Sequence, residues 1–568
     1  MESWARWRSG CSFAFAVLTR PPSPLKTLLQ FIYEHEKNLA DRIWLTQPMG
    51  NGVLRTFTWK EAIDEARRMA THLRDRGYPP GTRIAILSKN CAWWLLSDLA
   101  IWMAGHVSVP IYPTLTAGSV RAILEHSDTK LVFVGKLDGF AEMEPGIPSG
   151  IDRVSYPVSP VAAGASWTDI VSRAQPIGGA PDRDPDEMVT IMYTSGTTGM
   201  PKGVMHSFRT MNHSRTFCEI GGFSPDDRCL SYLPLSHVAE RALLEANCFM
   251  AGCSVWFVDK LETFVDDVRR ARPTAFGSVP RLLMQFQAGV FAKVPRARLE
   301  WLLRLPIIGR LVRRKVLRGL GLDHARLAFY GSAPSPVELI EWYRALGLEL
   351  LEIYGMTEGW AYSHMGRVGE YKPGWVGPPV PGVEHRLTSE GEICVRSPGI
   401  MLGYYKEPGL TREMIDADGW LHTGDRGEID DEGRLRITGR VKELFKTSKG
   451  KYVAPAPIEN RLLAHNGIEQ ACVSGASMPQ PYAIVVLSKN GKSNWTEEKL
   501  KALRDEVNAS LDHHERLQVI VVSGTPWTVE NGLLTPTLKL KRSAIEERAA
   551  PHVAEWYASG KAVIWESS

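Results

Sequence analysis

One segment of the chain, residues 193–203 (YTSGTTGMPKG), combines residue types that suit the binding of a polyphosphate. It contains three glycines, four Ser/Thr hydroxyls and Lys202, and it follows an apolar run at residues 188–192 that predicts a buried strand. Glycine lets the backbone approach an anion, hydroxyls and backbone N–H groups donate hydrogen bonds, and the lysine adds positive charge. The spacing differs from the P-loop, because no Gly-Lys-Ser/Thr follows a four-residue gap. The alternative is a flexible Ser/Thr/Gly linker.

Further motifs of small and polar residues follow along the chain. They are SYLPLSHVAER (231–241), YGSAP (330–334), YGMTE (354–358), GWLHTGD (419–425), ITGRVKELFK (437–446) and NGLLTPTLKLKR (531–542). Residues of this kind in loops and at strand ends often carry function. Their number and order argue against the linker interpretation of residues 193–203.

The sequence between and around these motifs predicts alternating strands and helices, which must position them. Short apolar runs predict buried strands at residues 82–90, 130–136 and 326–334. Residues 59–76 predict a surface helix that ends at Gly77. This alternation predicts an α/β fold in which sheets are layered with helices. The Gly- and Pro-rich residues 144–185 and 366–382 predict loops.

A domain boundary is predicted near residue 440. A hairpin with its turn at residues 431–433 precedes the polar segment 439–446, and the chain then begins again with a strand, a turn and a helix. We therefore expect a large domain over residues 25–440 and a small α/β domain over residues 441–568.

Composition and charge narrow the class of protein. The 568 residues are 44% hydrophobic and 23% charged, which is typical of a globular protein with an ample core. The net charge of +4 is small, and no zinc-finger spacing or basic-zipper pattern is present, so no nucleic-acid partner is predicted. The eight cysteines form no Cys-x-x-Cys pair, which favours a reduced cytoplasmic protein with buried free thiols. Cys248 and Cys253 are interpreted as core residues.

Two segments raise the question of a membrane. Residues 1–24 carry arginines before a short apolar stretch at 13–18, which is too short for a signal peptide, so we expect a poorly ordered N-terminal extension or an upstream start codon. Residues 293–318 hold nine Lys/Arg interleaved with apolar residues. They could contact an anionic membrane surface, such as the inner face of the cell membrane, or form a solvated helix pair, which is the simpler interpretation. Pro306 and Gly309 are expected to interrupt a continuous helix.

The ordered motifs resemble those of the adenylate-forming superfamily, which includes acyl-CoA synthetases, adenylation domains and firefly-type luciferases. The resemblance covers about residues 25–548 and is greatest to long-chain fatty acyl-CoA synthetases, because of residues 529–542, 234–241 and 445–459. It implies a ligase that uses ATP and Mg²⁺ to convert a fatty acid to acyl-AMP and then transfers the acyl group to CoA, releasing AMP and pyrophosphate. It also implies a large adenylating domain, a small mobile C-terminal domain and, as one option, a homodimer.

The resemblance assigns roles in nucleotide binding. The residues implied to wrap the β- and γ-phosphates are Thr194, Ser195, Gly196, Thr197, Thr198, Gly199 and Lys202. Those implied to line the adenine pocket are Gly331, Ser332, Ala333 and Tyr354, and Gly355, Met356 and Thr357 are also implied to bind the nucleotide. Thr194 and Glu358 are implied to hold magnesium. Asp425 is implied to accept hydrogen bonds from the ribose, with Arg440 nearby, although Asp425 could instead cap a turn.

The resemblance also assigns the catalytic residues. Lys539, selected over Lys541, is implied to reach the carboxylate and α-phosphate during adenylation. His237 is implied to position the substrate rather than act as a general base. Lys442 is implied to be the hinge about which the small domain rotates, and Lys446 is implied to enter the site in the rotated state.

Two departures and three rival functions remain. Residues 448–452 are one residue longer than the corresponding loop of some relatives, and Arg241 stands where some relatives have a tryptophan at the fatty-acid tunnel. Chain-length preference therefore does not follow from the sequence. The rivals are an acyl-AMP ligase that delivers to a separate carrier protein, a ligase for another carboxylic acid, and a non-catalytic nucleotide- or lipid-binding protein.

Overall fold

The computed structural model describes residues 25–194, 201–333, 335–465, 467–488, 495–529, 531–535 and 539–566. Within these residues the chain forms several sheets covered by helices, which confirms the predicted α/β class. Residues 1–24, predicted to be an extension, lie outside the described part.

An eight-stranded sheet dominates the first half of the chain. In spatial order its strands are Gly403–Tyr404, Lys202–Ser207, Met188–Thr194, Val107–Ile111, Arg83–Leu87, Leu131–Val134, Asp152–Ser155 and Ala165–Ser166. From Met188–Thr194 to Ala165–Ser166 neighbouring strands are parallel, while Lys202–Ser207 pairs antiparallel with both of its neighbours. The central strands Arg83–Leu87, Leu131–Val134 and Met188–Thr194 are mainly apolar and buried, as is typical of a parallel sheet with helices on both faces.

Four-stranded sheets make up the rest of the fold. The first consists of Arg228–Ser231, Ser254–Phe257, Ile43–Pro48 and Leu54–Thr58. The second consists of Ala275–Ser278, Leu327–Gly331, Leu350–Tyr354 and His364–Met365. The third consists of Glu384–Leu387, Glu392–Arg396, Leu421–Ile429 and Leu435–Arg440. After a small hairpin of Phe445–Lys446 and Tyr452–Val453, the last consists of Ile468–Ser474, Tyr482–Leu487, Val519–Val522 and Val563–Trp565.

The helices begin and end where the local sequence supplies caps and breakers. In chain order they are Leu28–Asn38, Trp59–Asp75, Ala92–Met103, Ala117–His126, Trp167–Arg173, Phe208–Met211, Ser214–Gly221, Val238–Glu240, Asn247–Ala251, Phe264–Ala271, Pro280–Phe291, Arg296–Arg304, Pro306–Leu320, Val337–Ala345, Pro408–Met414, Pro455–Leu463, Glu497–Ala509 and Arg542–Ala558. Arg241–Ala246 is a π-helical turn, and short 3-10 turns occur at Glu144–Gly146, Leu261–Thr263, Thr357–Gly359 and Val441–Glu443. Trp59–Asp75 starts with a reciprocal capping box between Thr58 and Glu61.

Most of the local predictions are confirmed, and two are wrong. The strands, the helix that ends before Gly77 and the hairpin near residue 431 are present. Residues 144–185 are not one loop, since two strands and the helix Trp167–Arg173, capped by the Ser166 hydroxyl, lie within them. Pro306 does start a new helix, but Gly309 lies inside it, where its missing side chain allows close packing on Leu303. Among the described residues, no helix is both long enough and apolar enough to cross a membrane.

Candidate active site

The two ends of the predicted phosphate-binding segment lie side by side. Thr194 ends one strand of the eight-stranded sheet, and it is paired with Lys202, the first residue of the next strand. The hairpin register therefore holds the Thr194 hydroxyl and the Lys202 side chain at the same edge of the sheet. Five other predicted phosphate-binding residues lie outside the described residues: Ser195, Gly196, Thr197, Thr198 and Gly199. Pro334 of the YGSAP motif also lies outside them.

Glu358 is anchored to the strand that borders this hairpin. Its carboxylate Oε1 accepts a 2.7 Å hydrogen bond from the Tyr404 hydroxyl, and its backbone oxygen accepts a 2.8 Å bond from the N–H of Met401. Lys202 Nζ lies 5.6 Å from the centre of the Tyr404 ring. Tyr404 thus connects the predicted phosphate ligand to the predicted metal ligand. A carboxylate and a threonine hydroxyl are hard oxygen donors, which fit magnesium.

Among the residues that are expected to bind the nucleotide, Gly331 ends one parallel strand and is followed by Ser332 and Ala333, and Gly355, Met356 and Thr357 follow the neighbouring strand. Ligands commonly bind at the carboxyl ends of parallel strands. A side chain on Gly355 would lie 2.3 Å from the backbone oxygen of Ala361, so only glycine fits this turn. Ser332 has φ of +70°, a left-handed conformation that a non-glycine residue adopts at a cost.

Asp425 is held from two sides. The hydroxyl of Tyr354 donates to its Oδ2 at 2.7 Å, and Nε of Arg440 lies 3.1 Å from its Oδ1. Asp425 and Arg440 are directly paired across the hairpin Leu421–Ile429 and Leu435–Arg440. Tyr354, expected only to line the adenine pocket, also orients the carboxylate that is expected to bind the ribose. These contacts are with the side chains of Tyr354 and Arg440, and the alternative interpretation of Asp425 as a turn cap does not explain them.

Lys539 reaches the same cleft from the last part of the chain. The Lys539 side chain keeps solvent-accessible surface, yet desolvation by the surrounding protein and then Arg440 lower its pKa, while Asp425 and Glu358 act in the opposite direction. Lys539 therefore lies near residues that precede it by between 99 and 181 positions in the sequence. They form a site of both charge signs, in which an anion could lie beside Glu358, the carboxylate that is expected to bind metal.

His237 lies at the edge of this group and is neutral. Its Nδ1 accepts a 3.2 Å hydrogen bond from the N–H of Ala239, so the ring caps the short helix Val238–Glu240. Burial, with a contribution from Lys539, lowers the pKa of His237 to about 3. A neutral ring whose Nδ1 is an acceptor carries its proton on Nε2. This arrangement suits a positioning donor better than a general base.

Arg241 is completely buried rather than lining an open tunnel. Its guanidinium pairs with Asp98 and lies 3.2 Å from Glu245 and 5.2 Å from the Trp94 ring centre. Arg241 begins the π-helical turn, a feature often found near functional sites. Where some relatives are expected to have a tryptophan, this chain therefore has a buried charge cluster.

Lys442 and Lys446 lie outside the cleft cluster. Lys442 is exposed in the 3-10 turn Val441–Glu443, and Lys446 is exposed in the small hairpin with its Nζ 5.6 Å from the Tyr452 ring centre. The conformation described here brings Lys539, not Lys446, to the other site residues. The replacement of Lys539 by Lys446 in the site stays a prediction.

Sequence reasoning did not identify Tyr404 or His206. Nε2 of His206 donates a 2.8 Å hydrogen bond to the backbone oxygen of Thr357, and burial lowers the pKa of His206 to about 3. Both residues fix the turn that carries Glu358. The Gly-Tyr-Tyr at residues 403–405 was a visible signal, but nothing in its spacing related it to Glu358.

Comparison with known proteins places this geometry in a family. Residues 34–405 match the AMP-binding enzymes, and residues 443–561 match the AMP-binding enzyme C-terminal domain. The long-chain-fatty-acid–CoA ligase FadD15 of Mycobacterium bovis is 30% identical, with 93% of this chain and 96% of that protein covered. The peroxisomal long chain acyl-CoA synthetase 6 of Arabidopsis thaliana is 31% identical, with 98% and 90% covered.

A solved structure has the same fold over nearly its whole length. The anthranilate CoA ligase AuaEII, solved in complex with anthranoyl-AMP, has a TM-score of 0.78 at 20% identity and covers 93% of this chain and 98% of its own. At this identity the likeness concerns the fold alone. With the family match extending over more than half of its length, the chain belongs to the AMP-binding enzymes.

Proposed function

We propose that this AMP-binding enzyme is a long-chain fatty acid–CoA ligase. In the first step a carboxylate oxygen of the fatty acid attacks the α-phosphorus of ATP, and pyrophosphate leaves. In the second step the CoA thiol attacks the acyl carbon, loses its proton, and AMP leaves. The observation that carries the proposal is the convergence of Lys539, Asp425, Arg440 and Glu358 on one cleft. The relatives named as long-chain ligases, about 30% identical over most of the chain, support the substrate class.

The first step joins two anions, so it needs fixed positive charge and orientation more than an acid–base pair. Lys202 would bind the outer phosphates together with the backbone of residues 195–199. Lys539 would lie between the fatty-acid carboxylate and the α-phosphate. Asp425, oriented by Tyr354 and Arg440, would accept hydrogen bonds from the two ribose hydroxyls.

Glu358 and Thr194 would hold a magnesium ion. When bound, magnesium neutralises charge on the phosphate oxygens. The Tyr404 and His206 contacts described above keep the turn of Glu358 fixed, so that its carboxylate is already aimed before ATP enters. This preorganisation lowers the cost of binding a highly charged substrate.

The second step would require a different position of the small domain. Lys539 lies against the group where a thiol must approach, so residues 441–568 would rotate as a unit about Lys442. Lys446 would then replace Lys539 in the cleft. Short turns between domains commonly act as such hinges, and Lys442 lies in a turn between two hairpins.

We further propose that residues 293–318 contact an anionic membrane surface from the cytoplasmic side. The two helices of this segment expose Trp301, Ile307 and Leu311 by 58%, 76% and 66%, and basic residues flank them. Exposed aromatic and aliphatic side chains beside Lys and Arg are typical of an interfacial helix. A long-chain acid partitions into membranes, so this contact would bring the enzyme to its substrate.

The substrate proposal is tested by pyrophosphate release with ATP, magnesium and acids from C2 to C18, with and without CoA. We expect release and acyl-CoA formation with the long acids when CoA is present. Acyl-AMP that accumulates and does not react with CoA would favour delivery to a carrier protein. Activity restricted to short or aromatic acids would contradict the substrate class, and no activity with any acid would contradict the ligase.

The membrane proposal is tested by sedimentation with neutral vesicles and with vesicles that contain phosphatidylglycerol. We expect binding to the anionic vesicles only, and a loss of that binding in the triple variant Trp301→Ser, Ile307→Ser, Leu311→Ser. Val161→Ser with Val368→Ser is the matched control, because both valines are exposed elsewhere. Equal binding by the triple variant and the control would contradict the contact.

A further inference from the structure

A group of three metal-ligand side chains lies on one face of the third four-stranded sheet, outside the proposed reaction site. Glu392 and Cys394 belong to one strand of this sheet and are two residues apart, so both point to the same face. His422 belongs to the neighbouring strand and is directly paired with Cys394. The ligand atoms of these three residues all lie within 4.8 Å of one another.

The distances match one coordination geometry. The Cys394 Sγ lies 3.5 Å from His422 Nδ1, and Glu392 Oε2 lies 3.0 Å from the same nitrogen. Zinc bonds of about 2.3 Å to sulfur, 2.05 Å to nitrogen and 2.0 Å to oxygen give tetrahedral edges of about 3.5 Å for S···N and about 3.3 Å for N···O. The S···N distance equals the tetrahedral edge, the N···O distance is about 0.3 Å shorter than it, and all three donors lie within 4.8 Å of one another, so small side-chain movements would place them around a single ion.

The residues that contact the three possible ligands also suit a metal site. Nε2 of His422 faces Oδ2 of Asp416 at 3.6 Å, and metal-bound histidines usually present their second nitrogen to a carboxylate. Asp416 is itself fixed, since it accepts hydrogen bonds from the backbone of Asp418 and Trp420 and from Arg386. The other oxygen of Glu392 accepts a 2.9 Å bond from the N–H of Gly424.

Charge and access distinguish this group from a second cluster. One thiolate and one carboxylate balance a divalent cation, and Glu392 and His422 are partly exposed, so an ion and a water ligand can enter. The other cluster in the described residues, Cys229, Cys248 and Cys253, has three buried thiols and no partly exposed member. Zinc with three protein ligands and a water fits the first group better.

We propose that Glu392, Cys394 and His422 bind a zinc ion, with water as the fourth ligand. Binding releases the thiol proton of Cys394, and the sulfur then bonds to the metal. His422 bonds through Nδ1 and keeps its proton on Nε2, facing Asp416. Because Gly424 is tied to Glu392 and precedes Asp425, the ion holds the strand that presents Asp425.

The test uses cobalt(II) as a spectroscopic substitute for zinc in the reduced, chelator-treated full-length protein. We expect one cobalt ion per chain and the ultraviolet absorption of a cobalt–thiolate bond, which an equivalent of zinc removes. Cys394→Ser should lose this absorption. Glu392→Gln and His422→Gln should keep a weaker band and bind at least tenfold less tightly. Cys91→Ser, which removes another buried thiol, should behave like the parent protein.

Two outcomes would overturn the proposal. No thiolate band in the parent protein would show that the donors do not form a site. A band that survives in Cys394→Ser but disappears in Cys248→Ser would assign the metal to the three-cysteine cluster. Should Cys394→Ser fail to fold, the tenfold loss in His422→Gln decides the question, because that side chain is partly exposed.

Discussion

Two clusters of charged residues, one around Asp425 and one around Arg241, are built on opposite principles. In the cleft, Asp425 is contacted by Tyr354 and Arg440, and Lys539 lies near enough to Asp425 and Arg440 for both to influence its pKa. In the core, Arg241 is enclosed together with two acids, and none of the three side chains is exposed. Arg440 and Lys539 keep the cleft cluster accessible to solvent, whereas the core cluster is closed to it.

The difference appears in the ionisation of the acids. Burial raises the pKa of Asp98 and that of Glu245, and Arg241 only partly opposes this effect. One arginine cannot neutralise two buried carboxylates, and the pKa of Glu245 is raised well above its ordinary value, which favours Asp98 as the ionic partner. A charge in the core thus serves internal pairing, while a charge in the cleft is held ready for a substrate. Stability should depend on the first cluster, and activity on the second.

The largest expected effect is a loss of stability in Arg241→Ala. The substitution leaves Asp98 without its partner inside an apolar core, which typically costs about 3–5 kcal/mol. Urea unfolding followed by tryptophan fluorescence measures the change. The triple variant Arg241→Met, Asp98→Leu, Glu245→Leu should lose less stability than the single one, because no charge is left buried. A single variant as stable as the parent protein would mean that the cluster is not closed.

The second effect is a loss of adenylation in Lys539→Ala without a loss of stability. Removal of one preorganised charge at a reacting centre typically costs about 10²–10³ in rate. Pyrophosphate release measures this step, and thioester formation from supplied acyl-AMP should be spared. Lys541→Ala is the control, since that lysine is exposed two residues away. If both steps are lost in folded Lys539→Ala, Lys539 is not specific to the first conformation.

How far the sequence predicts each cluster depends on the distance along the chain between its members. The hairpin around residue 431 was predictable, and its register alone brings Asp425 opposite Arg440. Asp98 and Arg241 are 143 residues apart and lie in different elements, so no local pattern related them. The same holds for Tyr404 and Glu358, which are joined only by the packing of separate sheets.

The error at residues 144–185 has a local cause. Gly, Pro and Ser dominate this stretch, and such residues predict loops. Ser166, however, acts as the N-cap of Trp167–Arg173, and the buried Trp167 holds that helix on the domain. Composition alone therefore hid a short helix whose stability comes from tertiary packing.

The third expected effect, which is smaller, is a pH dependence of stability that comes from a buried acid of the core. Burial raises the pKa of Glu240 to about 8, and its Oε1 accepts hydrogen bonds from Ser231, Tyr232 and Asn90. The folded state then keeps a proton that the unfolded state loses near its ordinary value of 4.5. The stabilisation is complete below that value and is lost as the pH rises towards 8.

Glu240→Gln should remove this dependence, because the amide keeps an acceptor oxygen but does not titrate. Between pH 5 and pH 8, the parent protein should lose at least about 1.4 kcal/mol relative to the variant, which corresponds to one pKa unit. Urea unfolding at several pH values gives both curves. Parallel curves would show that Glu240 is charged in the folded protein and that the core tolerates an acid without a cationic partner.

The smallest effect tests how the cleft carboxylate is oriented. Tyr354→Phe removes the 2.7 Å hydrogen bond to Asp425 but keeps the ring and leaves Arg440 in place. A single hydrogen bond contributes about 1 kcal/mol, so the KM for ATP should rise about fivefold, while kcat and stability change little. Tyr343→Phe is the control, because that buried hydroxyl donates to the backbone oxygen of Leu283 instead. An unchanged KM in Tyr354→Phe, with Tyr343→Phe also unchanged, would mean that Arg440 alone sets the position of Asp425. The cleft would then resemble the core, where one arginine determines the arrangement of the acids.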